Sequence, residues 1–193
     1  MASKKKTKTK RKTKKISGIT TANLENITLV EGRQIFLNGS IDEKLSLEVC
    51  KELVLLDLID NISPIIMNIN SGGGSVTDGF AIIDTMRTIK SPVATVVTGM
   101  AASMAGIISI TGTKRLMTHN SFWMGHEMVC GNFDYIAKVN SRVGFYNKLW
   151  DLLIEHIKKY TKLSLDDLKL LQAGELWLPA NECVAKGLVD LVI

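Results

Sequence analysis

From Ser91 to Thr113 the chain runs for 23 residues without a charged side chain. A stretch of that length can cross a bilayer, which takes ~20 apolar residues. Its grammar predicts something else. Val93 to Val97 is β-branched and reads as a strand, Gly99 breaks it, and Ala101 to Ala105 is small and helix-compatible. A buried strand, a tight turn and a buried helix explain the run better than a membrane span. An α/β fold with parallel strands covered on both faces accommodates such a pair.

The flanking segments repeat the pattern. Gln34 to Leu37 reads as a strand ended by Asn38-Gly39, and 43–59 as a helix with apolar residues at 45, 49, 53, 54 and 56. Pro64 to Asn70 (PIIMNIN) is a buried strand running into Ser71-Gly72-Gly73-Gly74. A helix over 77–90 follows, with Thr77 as N-cap, then strand 93–98 and helix 102–111. Short strands are expected at 114–117 and 122–125, a short helix from Asp166-Asp167, a helix over 179–186 stopped by Gly187, and a strand over 188–193. The alternation implies parallel pairing with right-handed crossovers. One helix has a long seam: Ile136, Val139, Val143, Tyr146, Trp150, Leu153, Ile157 and Tyr160 fall on one stripe. At ~1.5 Å per residue it outreaches a small globule, so part of the stripe is expected to meet another subunit.

Charge divides the 193 residues unevenly. Residues 1–15 hold eight lysines, one arginine and no acid, whereas the rest hold 15 basic and 19 acidic groups, so +9 faces −4. A block of like charge without apolar residues reads as a disordered tail. It lacks the apolar core of a secretory signal and could make weak, salt-sensitive contact with a polyanion. The expected organisation is a basic tail and lead-in over 1–31 and one domain over 32–193. The three cysteines, Cys50, Cys130 and Cys183, are far apart and odd in number. They form no metal-spaced pair and suit a reducing cytoplasm; no metal or cofactor is expected.

Three places carry chemistry. Ser103 lies at the start of the helix after the buried strand, in Gly99-Met100-Ala101-Ala102-Ser103-Met104. Unpaired amides at a helix start can stabilise an oxyanion beside a serine hydroxyl; close packing of small residues is the plainer alternative. The glycine loop Gly72-Gly73-Gly74-Ser75-Val76 follows a strand. No lysine follows the glycines, as a phosphate cradle would want, so the loop suits an extended peptide backbone better. Of three histidines, His119 sits in a polar turn, and His156 lies off the helical stripe and reads as solvated. His126 ends an apolar strand and is the favoured general base.

These runs, GRQIFLNGSID, NSGGGSV, GMAASM, MGH and AKGLVD, resemble in order the ClpP family, the proteolytic subunits of Clp proteases, over about residues 32–193. The resemblance implies a ClpP/crotonase-type α/β fold of stacked βαβ units with a protruding handle helix, about 134–160. It implies Ser103 as nucleophile, His126 as base, and Gly74 and Met104 as oxyanion-hole positions, with Gly72, Gly73, Ser75 and Val76 along the substrate. It implies serine endopeptidase activity on polypeptides inside a heptameric ring, often two rings stacked, fed by an AAA+ unfoldase. Counting back twelve residues from Gly187 lands on Glu175 where the family usually has aspartate. Three further departures bear on assembly and docking. Ser103 to His126 is two residues short, the segment after His126 is about four short, and the lysine-rich tail replaces the family's axial segment.

Other readings remain at this point: a phage head-maturation protease of the same fold, a crotonase-like acyl-CoA enzyme, or a non-catalytic ring subunit. A serine–lysine peptidase using Lys158, Lys159 or Lys162 is a further one, which would leave His126 without a task.

Overall fold

A computed structural model describes residues 32–131 and 134–193. The basic tail and lead-in expected over 1–31 lie outside the described residues. From Arg33 onward the chain forms one unit.

β1 (Gln34–Ile41), α1 (Glu43–Ile59), β2 (Ile65–Gly74), α2 (Val76–Thr88), β3 (Val93–Ala102) and α3 (Met104–Ser109) alternate as expected. β4 (Lys114–Met117), β5 (Phe122–His126), α4 (Ile136–Tyr160), α5 (Leu165–Ala173), β6 (Glu175–Pro179), α6 (Ala180–Ala185) and β7 (Leu191–Val192) follow. The sheet runs β1-β2-β3-β4-β7, with every pair parallel. Ile35, Leu37, Ile65, Met67, Ile69, Val93 and Val97 supply its buried centre. The uncharged run is therefore strand, turn and helix, and no helix among the described residues is long and apolar enough to cross a membrane.

β3 is the strand that positions the site. Its first half pairs with β4 through Ala94–Val97, and its end leaves that partner and pairs with β5 through Met100–Ala102. β5 in turn pairs antiparallel with β6. A ladder from the serine elbow to residue 175 follows from this switch. β4 and β5 thus both lie beside β3, and the turn at 110–113 joins α3 to β4.

Several boundaries differ from the sequence reading for local reasons. Asn38-Gly39 does not end β1: Gly39 takes φ +86° and the strand continues past an irregularity in register. Ser75, not Thr77, caps α2, its Oγ accepting from the Asp78 N–H. Ser164 and Asp167 form a reciprocal capping box on α5. β6 was not anticipated, because five residues between two helices carry little periodic signal.

α4 has two different ends. Leu153, His156 and Ile157 are buried against the domain, whereas Ile136 is 80% exposed and Val143 45%. The outer part of the seam has no cover among the described residues.

Candidate active site

Ser103 sits where β3 turns into α3. Its backbone takes φ 52°, ψ −124°, a left-handed conformation that side-chain-bearing residues rarely adopt. The surroundings enforce it. The Ser103 N–H donates to the Met124 carbonyl of β5 at 2.8 Å, and the Ile107 N–H returns to the Ser103 carbonyl at 3.2 Å. Under α3 lies Trp123, fully buried, whose Nε1–H donates to the Gly106 carbonyl at 3.1 Å. Strained strand-to-helix turns of this kind hold a serine hydroxyl out of the sheet plane in hydrolases.

The glycine loop is shaped to this elbow. A Cβ on Gly73, at φ +92°, would lie 2.7 Å from both the Ala102 carbonyl oxygen and the Ser103 Cβ. A Cβ on Gly74 would meet the Ile41 carbonyl oxygen. Glycine is required at both because backbone occupies the space a side chain would need. The residues expected along the substrate have distinct surroundings. Gly74 and Val76 line the cavity that Ser103 lines. Gly73 packs against the elbow, Ser75 caps α2, and Gly72 has open space around it.

That cavity, of about 170 Å³, is walled by Ser103 and Met104, by Gly125 and His126, and by Trp150, Leu153 and Ile157 of α4. Met104 opens α3, where a backbone N–H has no helical carbonyl before it. His126 ends β5, half-buried. Serine and histidine thus border one space, although no hydrogen bond joins Ser103 to His126 among the described residues.

Glu175 is the exact cross-strand partner of His126 in the β5–β6 ladder, so the two side chains leave the same face of the sheet. Its carboxylate does not bond His126; Oε2 accepts from Trp177 Nε1 at 2.8 Å. The apolar run Leu176-Trp177-Leu178 does not bury Glu175, which is exposed. In a strand the run divides, Leu176 and Leu178 taking the core and Glu175 and Trp177 facing outward. Trp177 is not among the sequence candidates; its i, i+2 spacing from Glu175 is the signal that would have found it.

The other candidates separate cleanly. His119 is exposed, with Nδ1 3.0 Å from the terminal Ile193 carbonyl oxygen. His156 is buried rather than solvated. Its Nε2 lies 2.8 Å from Thr111 Oγ1 and its Nδ1 3.2 Å from Arg87 Nη2. Burial first, then the cations Arg87 and Lys159, lower its pKa to about 4. Asp167 is held by Ser164 and by Lys186 Nζ at 2.7 Å, so it serves as a cap. None of Lys158, Lys159 and Lys162 lines the cavity of Ser103.

Comparison with known proteins adds the rest. The model of the Clp protease family matches residues 20–193. A protein of Streptococcus pyogenes serotype M5 (strain Manfredo), called ATP-dependent Clp protease proteolytic subunit, is 32% identical over 173 residues, covering 86% of each chain. The proteins of that name from serotypes M49 (strain NZ131) and M1 match equally well.

Proposed function

The chain belongs to the Clp protease family, and from that premise we propose that its serine peptidase chemistry is carried by Ser103 and His126, with Glu175 as the acid. It is a serine endopeptidase of the ClpP type. The observation that carries the residue assignment is the shared cavity: a serine on a strained elbow and a histidine at a strand end border one apolar space.

The reaction follows from those positions. Ser103 Oγ attacks the scissile carbonyl while an imidazole nitrogen of His126 takes its proton. The carbonyl oxygen, now negative, turns toward the N–H groups of Met104 and Gly74. Collapse breaks the C–N bond, and His126 returns the proton to the leaving amine. Water then repeats the sequence on the acyl-serine and restores Ser103. Glu175 orients the imidazole and offsets its positive charge. The cavity suits one apolar substrate side chain: an apolar space of ~150 Å³ already holds a benzene-sized group.

Assembly is the second part of the proposal. The uncovered outer seam of α4, with Ile136 and Val143, suits contact with further copies in a ring. Delivery of polypeptides by an AAA+ unfoldase, and residence in the cytoplasm, are the family's implication for this chain.

A serine-reactive phosphonate tests the assignment directly. Label is expected on Ser103, and Ser103→Ala should lower turnover by up to about six orders of magnitude. Label elsewhere, or a mutant as active as wild type, would refute it.

A further inference from the structure

Glu175 and Trp177 face the same way from β6, opposite His126 and Met124 of β5. Their mutual bond has one possible polarity. An indole N–H only donates and a carboxylate only accepts, so Trp177 Nε1–H occupies Glu175 Oε2 at 2.8 Å. The other oxygen, Oε1, accepts no hydrogen bond among the described residues. Glutamate carries one more rotatable bond than aspartate, and Glu175 is exposed, so nothing packs its carboxylate into a fixed place. Among the described residues its single tether is Trp177. Trp177 is 48% exposed, which makes simple core filling a poor account of a tryptophan here.

We propose that Trp177 is a positioning residue: it holds one oxygen of Glu175 so that the other is presented across the ladder to His126. This rests on the reading of Glu175 as the acid. The donor, not the aromatic bulk, is the working part. A phenylalanine would keep the ring and remove the N–H.

The test uses the full-length protein and a fluorogenic peptide. Trp177→Phe should lower kcat about three- to tenfold, the worth of one ordinary hydrogen bond, with KM changed less than twofold. The acidic limb of the kcat/KM profile should move to lower pH, because a loosely held carboxylate stabilises the imidazolium less. In a Glu175→Gln background the same substitution should add nothing, since there is no charge left to position.

The outcomes are separable. If Glu175→Gln keeps wild-type turnover, the acid assignment falls and the positioning role with it. If Glu175→Gln is impaired but Trp177→Phe matches wild type in rate and pH profile, only the positioning role falls. Equal losses from Trp177→Phe in both backgrounds would mean that the ring acts independently of Glu175, and would also overturn it.

Discussion

The two sides of the cleft are built in different ways. On the serine side backbone meets backbone: Gly73 lies against the elbow, Trp123 supports α3, and Met124 holds the Ser103 N–H. On the acid side an exposed carboxylate stands on a short edge pairing and is held by one side-chain bond. The nucleophile must meet a carbonyl carbon along one line, and a misplacement of ~1 Å can cost about a hundredfold. The acid acts through the imidazole, at one remove from the bonds that change, and tolerates a looser mount.

The serine side is where the comparison breaks most easily. Gly73→Ala puts a methyl 2.7 Å from the Ala102 oxygen and the Ser103 Cβ, in a residue at φ +92°. The elbow has to shift, and turnover should fall about a hundredfold in protein that still folds, as read by circular dichroism. Wild-type turnover would mean that the elbow is softer than its packing implies.

On the acid side the same size of change should matter less. Glu175→Asp shortens the side chain by one methylene and breaks the Trp177 bond, but meets no packed neighbour. A loss of roughly tenfold is expected, equivalent to about 1.4 kcal/mol. A loss as large as that of Gly73→Ala would show that the acid is mounted as strictly as the nucleophile.

The same contrast explains what was legible in the sequence. The serine side announces itself because tight packing demands small residues: Gly73-Gly74 and Ala101-Ala102 are visible as a pattern, and strand β3 reads from its β-branched run. The acid side has no such demand. Glu175 was reached only by counting from Gly187, and neither β6 nor the partnership with Trp177 has a periodic signature in five residues. His156 was misread because a lone histidine beside an apolar stripe looks solvated until the partners appear. Thr111 and Arg87 are 45 and 69 residues away in sequence.

Those partners brace the far end of the serine helix, and their effect falls on stability rather than on turnover. Thr111 Oγ1–H donates to the Ile107 carbonyl of α3 at 2.9 Å, so toward His156 it can only accept. His156 therefore carries its proton on Nε2. Its bare Nδ1 accepts from Arg87 Nη2, which also donates to Tyr160 Oη at 3.1 Å. Around the ring stand Arg87 and Asp84 of α2, paired at 3.7 Å, and Glu155, Lys159 and Tyr160 of α4. A second proton would have to point at the Arg87 guanidinium, which agrees with a pKa lowered to about 4 by burial and by the cations. In the unfolded chain the same imidazole titrates near 6.5. Above that pH it is neutral in both states and the brace is at full strength. Between about 6.5 and 4 the unfolded state binds a proton that the folded state refuses, so stability falls as pH falls. Below about 4 the loss levels off, having reached about 3 kcal/mol, or roughly 6–12 °C in Tm for a domain of this size. The carboxylates of Asp57, Asp60, Asp167 and Asp190 are held below their usual range, so they begin to weaken the fold only below about pH 5, where the unfolded chain starts to bind their protons. His156→Gln keeps a donor for Thr111 and cannot titrate. At fixed protein concentration its Tm should be nearly flat from pH 6.5 to about 5 while that of the wild type drops. Parallel curves would mean that the histidine takes up its proton in place, and that α3 is held at its far end by packing alone.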